Sequence, residues 1–340
     1  MRGRPGSAAQ SARRGAGHPA LSQPPASRHV RRDSRPVTPR VAVTLGDPRG
    51  IGPEIAARAL RDSIDAHIVV IGAEDQIATV PATDRVSTGT WRASDADEGA
   101  GRAIRAGRIA GHAVERAVKL ALAGEVDAIV TGPAHKHALH LAGFPFPGHT
   151  EWLAELAGGV EVAMMLATDT LRVVLVTTHV PLRDVPALIT TERVVRTGRL
   201  TLDALDTWWG IERPRLAVCA LNPHAGEAGL FGDEDDRVLR PAAEQLGAAG
   251  PLPADTVFVR ALRGEFDAVI TPYHDVGMTA VKMAGFGRGV NVTLGLPFPR
   301  TAPDHGTAFD IAGTGTADPG SMRAAIELAI RIAARSRART

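Results

Sequence analysis

An α/β protein, with helices layered on both faces of a largely parallel sheet, is what the sequence predicts. Short apolar runs of strand length alternate with amphipathic helical stretches almost from end to end, the pattern of successive βα units. The strand-like runs also end alike, in Gly- or Pro-bearing turns that carry His, Asp or Asn. At 340 residues the chain has room for two domains, or for one large domain with an insertion.

Residues 1–39 are rich in Arg, Ser, Pro and Gly and show no apolar periodicity, so they are expected to form a disordered tail. The fold is expected to open with a strand over 40–44, followed by GDPRGIGPE at 46–54. Its glycines allow a tight turn, and Pro53 suits the first turn of a helix over 54–61. Backbone N–H groups in such a turn can meet an anion, although the motif is neither a Walker loop nor a dinucleotide G-x-G-x-x-G. His67–Gly72 (HIVVIG) reads as a second buried strand, 100–123 as a helix and 127–131 as a third strand. GPAHK at 132–136 is another strand-to-helix turn, with Lys136 expected to be an ordinary solvated lysine. PGHTE at 147–151 opens a helix, with Thr150 as N-cap and His149 just before it. Two adjacent strands at 160–168 and 171–178 with a turn at Asp169-Thr170, a strand at 215–221, helices at 191–209 and 234–246, a strand from Ala268 and a closing helix after Pro319 complete the reading.

Charge and cysteine content exclude several classes of function. The formal net charge of +2 conceals nine arginines against one acid in residues 1–40, which leaves residues 41–340 at −6. The basic character belongs to the tail, and the body lacks the footprint of a nucleic-acid binder. A single cysteine, Cys219, excludes a disulfide framework and fits a reducing cytosol, so a cytoplasmic location is expected. No run approaches the about 18 apolar residues of a membrane span.

Residue scarcity is informative as well. Three lysines stand against 36 arginines, with two asparagines and one tyrosine. A GC-rich gene replaces these codons wherever Arg, Asp or Phe will serve. The survivors are Lys119, Lys136, Lys282, Asn222, Asn291 and Tyr273, and all but Lys119 lie beside the turns that carry chemistry.

Ligands of open α/β sheets bind beyond the carboxyl ends of strands. His179, His224 and His274 each follow an apolar strand and precede a Pro or Gly turn. Singly, each is more often a hydrogen-bonded structural histidine. Together, three imidazoles at equivalent strand ends can converge on one cation, and nitrogen donors favour zinc or another transition ion. His135, His137 and His140 crowd one short helix and read as solvated. Lys282, Arg300, His149, Thr150 and Asn291 offer the donors that a phosphate or carboxylate wants. A glycine-punctuated loop with His305, Asp310, Gly313 and Gly315 invites backbone approach to a ligand.

The motifs TLGDPRGIGPE, TGPAHK, FPGHTE, TTHVPL, LNPHAGE, PADT, YHDVG, VNVTLGLPFPRT and DHGTAFDIAG, in this order over about residues 40–330, resemble the 4-hydroxythreonine-4-phosphate dehydrogenase family of vitamin B6 biosynthesis. The loop HGTAFDIAGTGTADP is similar to the adenine-side loop of isocitrate and isopropylmalate dehydrogenases. The resemblance implies a two-domain fold like theirs with the active site in the interdomain cleft. The outer domain would hold 40–145 plus 305–340, and the inner domain, 146–304, would carry the histidines and a dimer interface. It implies NAD or NADP bound outside a Rossmann fold, on Asn291, Leu294, Gly306, Asp310, Gly313 and Gly315. It implies a divalent metal, zinc first with Mg, Co, Mn or Ni open, on His179, His224 and His274. Two of these would come from one subunit and the third from the other, so a homodimer is expected.

Substrate contacts would fall on His149, Thr150, Lys282, Asn291 and Arg300, with Asp255 and Asp275 lining the same pocket. The histidines, Asp275 and Lys282 would carry catalysis, and phosphate binding is the first role of Lys282. The implied reaction oxidises C3 of 4-phosphohydroxy-L-threonine and loses carbon dioxide to give 3-amino-2-oxopropyl phosphate. Val276 stands where the family usually has Gln, and Ala302 where Ser is usual. D-Threonate or D-erythronate 4-phosphate is therefore an alternative substrate. The complete anion-binding set argues against a carboxylated cis-dihydrodiol and against an inactive metal-binding homologue.

Overall fold

Eleven strands form one sheet in the order β3-β2-β1-β4-β11-β10-β5-β6-β9-β7-β8, seen in a computed structural model that describes residues 38–62, 64–92, 99–285 and 287–339. The strands are β1 (Arg40–Thr44), β2 (His67–Gly72), β3 (Asp84–Ser87), β4 (Ala128–Thr131), β5 (Ala163–Ala167), β6 (Arg172–Leu175), β7 (Leu216–Cys219), β8 (Ala249–Leu252), β9 (Ala268–Thr271), β10 (Val290–Leu294) and β11 (Arg300–Pro303). The helices are α1 (Gly52–Ala59), α2 (Glu74–Ile77), α3 (Gly99–Leu122), α4 (Lys136–Leu141), α5 (His149–Leu156), α6 (Val185–Leu188), α7 (Thr191–Thr207), α8 (Arg240–Leu246), α9 (Ala254–Leu262), α10 (His274–Gly285) and α11 (Gly320–Arg339). All but two residues of the expected tail lie outside the described residues.

Seven strand pairings are parallel, as expected. The middle of the sheet is not: β10 runs antiparallel to β11 and to β5, and β5 runs antiparallel to β6. Connection length is the cause. The Thr168 hydroxyl accepts from the Thr170 and Leu171 amides at 3.3 and 3.0 Å, closing a tight turn between β5 and β6. So short a link can only return the chain alongside itself, whereas parallel neighbours need a crossover.

Alternation along these strands separates two faces. Val290, Val292 and Leu294 of β10 pack with Met165 and with Ile326, Ala329 and Ile332 of α11 in one core. On α3, the buried residues Ala103, Ala106, Ala110, Ala113, Ala117 and Leu120 recur at helical spacing and pack as a stripe against the sheet. Gly46 shows why the turn after β1 needs glycine. It sits at φ +77, and a side-chain carbon there would come within 2.1 Å of the Pro133 carbonyl oxygen. The GDPRGIGPE and GPAHK turns are thereby locked together, with the Asp47 amide donating to Pro133 O at 2.9 Å. No helix among the described residues is long and apolar enough to cross a membrane.

Candidate active site

The antiparallel middle of the sheet is the floor of a cavity of about 360 Å³. Asn291 lies between its register partners Leu166 and Ala302, and Thr293 lies between Met164 and Arg300. Four of these side chains (Met164, Leu166, Asn291 and Arg300) line the cavity, as does Ala302. One wall comes from the 131–136 turn and from 303–306; the other comes from 148–151, His179 and His274. A larger cavity of 820 Å³, beside Trp208, Trp209 and α11, holds none of the expected site residues.

Arg300 dominates the electrostatics. It is only 3 % exposed. Its Nε and Nη2 donate to the Thr131 hydroxyl, and its Nη1 donates to the Thr293 hydroxyl at 3.0 Å. Hydroxyls satisfy N–H groups without neutralising the charge, and no carboxylate pairs with this guanidinium among the described residues. Burial lowers its pKa to about 10, opposed by the charge of Glu151, so it stays cationic at neutral pH. A buried cation without a counter-ion is a strong demand for an anion.

Beside it, the His149 Nε2 is buried with no hydrogen-bond partner, as are Asn291 Oδ1 and His305 Nε2. Three such atoms lining one cavity fit a polar ligand, because folded proteins leave few buried polar atoms unpaired. Burial, and then the charges of Arg300 and Lys136, push the His149 pKa down to about 3, so the ring is neutral. The folded chain therefore refuses a proton that the unfolded chain takes up below pH about 6.5. The stability present above that pH falls as the pH drops toward 3, with a loss of about 2 kcal/mol at pH 5. Urea unfolding at pH 7 and pH 5 should show this loss, and His149→Gln should remove it. An unchanged pH slope in the variant would refute the assignment.

The imidazoles of His179 and His274 face each other with ring centroids 5.7 Å apart. The two follow the neighbouring strands β6 and β9. His274 Nδ1 lies 2.7 Å from the Asp275 carboxylate, which leaves Nε2 free to bind an ion. Burial, followed by the charges of Lys136 and His274, lowers the His179 pKa. His224 does not join this pair and does not line the cavity. It begins a run of left-handed residues, at φ +52, after a segment whose Leu221 and Asn222 amides donate to the buried carboxylate of Asp235. Non-glycine residues held in that region cost on the order of 1 kcal/mol each and mark an imposed geometry. Among the described residues, no group of three or more His, Cys, Asp or Glu side chains is placed to hold an ion.

The other expected residues are dispersed. Thr150 lines the cavity but is not a cap: Gly148 takes that position and α5 starts at His149. Lys282 is 53 % exposed, pairs with Asp304 at 3.4 Å and does not line the cavity. Asp255 is exposed in the first turn of α9. Asp275 lines a smaller cavity of 150 Å³ with His179 and Tyr273. Of the expected cofactor residues, Asn291 and Gly306 line the main cavity, whereas Leu294 is buried at 0 % exposure in the core under α11. Gly313 and Gly315, both left-handed, and the exposed Asp310 belong to a loop braced on α1. In that brace the Ile51 amide donates to Thr307 O at 2.9 Å, and the Gly313 amide to Glu54 Oε2 at 3.1 Å. Lys136, Glu151 and His305 line the cavity without having been singled out as its ligands, and His135 is half-buried against Phe309 rather than solvated.

An α/β sheet with an anion-demanding arginine and paired histidines in a central cavity defines a small-molecule enzyme site. Residues 50–329 match the family described as pyridoxal phosphate biosynthetic protein PdxA. The chain is 44 % identical to 4-hydroxythreonine-4-phosphate dehydrogenase of Geobacter metallireducens, covering 87 % of this chain and 96 % of that one. It is 43 % identical to D-threonate 4-phosphate dehydrogenase of Salmonella typhimurium, over 87 % and 99 %. A crystal structure of 4-hydroxythreonine-4-phosphate dehydrogenase from Klebsiella pneumoniae superposes with a TM-score of 0.76 at 39 % identity, covering 87 % of this chain and all of that one. The chain belongs to the PdxA family of dehydrogenases.

Proposed function

We propose that the protein oxidises the C3 hydroxyl of 4-phosphohydroxy-L-threonine with NAD or NADP, then releases carbon dioxide to give 3-amino-2-oxopropyl phosphate. The observation that carries this reading is Arg300, buried and lacking a carboxylate beside a neutral His149 whose Nε2 is unpaired. A phosphate supplies the missing charge and acceptors. His149, Thr150 and Asn291 add donors and orientation around it. The division into 40–145 with 305–340 against 146–304 remains part of this reading; residues of both parts line the cavity.

The donor set fits a divalent ion of the zinc type: two facing imidazoles, one already oriented by a carboxylate. His179 and His274 would hold it with His224 of a second copy. The braced glycine loop and Gly306 would hold the nicotinamide cofactor. When bound, the ion lowers the pKa of the substrate hydroxyl and stabilises the charge left by decarboxylation, while the cofactor accepts hydride. Large apolar side chains left exposed on α9 and α10 (Val259, Leu262 and Met283) support a homodimer. The reducing-type cysteine usage favours a cytoplasmic location.

D-Threonate 4-phosphate is the second reading, favoured by the Salmonella typhimurium relative. Glu151 argues for the amino substrate, since its carboxylate lines the cavity and would meet an ammonium group. NADH formation from the two phosphate esters, with added divalent ion, decides between them. We expect turnover of 4-phosphohydroxy-L-threonine at the higher kcat/KM; no turnover of it would end this reading.

A further inference from the structure

We propose that the 820 Å³ cavity beside Trp208, Trp209 and α11 is a second small-molecule site, built for a planar aromatic monocarboxylate. It stands apart from the catalytic cavity and does not depend on the phosphate-ester reading. Ala167 and Val290, register partners on β5 and β10, line it, whereas the neighbouring Leu166 and Asn291 line the catalytic cavity on the other face. Its volume falls in the range of ordinary ligand sites, about 300–1,000 Å³. The buried part of its lining is apolar: Ala167, Val290, Leu328 and Ile332. The two tryptophans that line it stay half-buried, with ring centroids 6.3 Å apart.

Arg172 supplies the polar anchor. Its guanidinium carbon lies 5.3 Å from the centroid of the Trp209 ring. Stacking uses the face of a guanidinium and leaves its N–H edge for an acceptor in the same plane. Nη1 donates to Asp267 O at 3.1 Å, but Nε is buried with no partner. Burial lowers the Arg172 pKa; the charge of Asp267 opposes this and that of Arg331 adds to it. Arg288, Arg331 and Arg335 line the same cavity, and none of them has an ion pair among the described residues. Arg335 Nη1 rests against Gly210, where a side-chain carbon would come within 1.2 Å of it, so the glycine after α7 makes room for that arginine. A carboxylate would give Arg172 Nε its acceptor and offset the repulsion from Arg331. Asp169, Asp206, Glu212 and Glu327 also line the cavity and balance the four arginines. They oppose a second negative charge, so a monoanion fits better than a phosphate ester, and the indoles and apolar lining take its aromatic body.

2-Naphthoate is the probe, titrated calorimetrically into the full-length protein without substrate or cofactor. It should bind with a Kd below about 1 mM, and the uncharged 2-naphthamide at least about tenfold more weakly. Arg172→Met and Trp209→Ala should each weaken naphthoate binding about tenfold or more. Arg331→Met, a change at an exposed side chain that leaves the fold alone, should weaken it about threefold. Arg300→Met should bind naphthoate as the wild type does, because that arginine lies in the other cavity. No binding by the wild type at about 10 mM, equal affinity for the amide, or wild-type affinity in Arg172→Met or in Arg331→Met overturns the proposal. So does a loss of affinity in Arg300→Met, which would place the naphthoate in the catalytic cavity.

Discussion

Replacing Arg300 with Met should lower kcat/KM for the phosphorylated substrate by about 10³-fold, or ~4 kcal/mol, while leaving the fold intact. The size of the effect follows from burial. The guanidinium is held against the Thr131 and Thr293 hydroxyls with no internal anion, so the folded protein already bears the cost of desolvating it. On the proposed reading a substrate phosphate would recover that cost on binding, and methionine could not offer it a charge. The same reasoning gives stability the opposite sign. Removing an uncompensated buried charge in favour of an apolar side chain of similar length is commonly neutral or stabilising, by about 1–4 kcal/mol. The two hydroxyls that lose a donor can rotate to donate elsewhere. Arg300→Lys keeps the charge but cannot hold both threonines and a phosphate at once, so it should fall between the two. Steady-state kinetics and urea unfolding of the three proteins check both signs. Near wild-type kcat/KM in Arg300→Met would show that the anion binds elsewhere.

The legible parts of the fold were those set by local periodicity. The strand His67–Gly72 and the long helix α3 lie within a residue of where the apolar pattern places them. Arg300, Asn291, His149 and the histidines after β6 and β9 reach the cavity because each sits where a regular element meets a turn. The turn at Asp169-Thr170 already returned β6 alongside β5, as observed. What the sequence did not show was the direction of β10: period-2 alternation reads the same both ways, so its antiparallel pairing with β11 and β5, which builds the cavity floor, was hidden. For the same reason the facing of β10 could not be told. Asn291 turns to the cavity while Leu294, three residues on, turns into the core. Lys136 is exposed, as expected, but that it also lines the cavity was not legible, because exposure to a cavity and exposure to solvent leave the same trace in a sequence. Thr150 was misread as a cap because glycine at 148 opened the helix earlier than a side-chain oxygen required.

If two copies share the site, as proposed, two inactive variants should restore activity to each other in a mixed dimer, provided the mutations fall on opposite sides of it. In one protomer His179 and His274 face each other, whereas His224 lies outside the cavity they line. If a second copy supplies His224, a dimer of one His224→Ala chain and one His274→Ala chain contains one complete site and one doubly broken site. Each variant alone should lose ion binding and turnover together. Random pairing of the two in one cell makes half the dimers mixed, so about a quarter of wild-type activity should return in a two-fold symmetric assembly. The control is His179→Ala with His274→Ala: both ligands belong to one side, each mixed site lacks one of them, and nothing should return. Differently tagged chains, co-expressed and purified through both tags, make the comparison clean. Recovery in the control pair would mean that His179 and His274 reach the ion from different protomers. Failure in the first pair, with mixed dimers confirmed by both tags, would show that His224 is not delivered across the interface. Any third ligand would then have to come from the protomer that carries the facing pair.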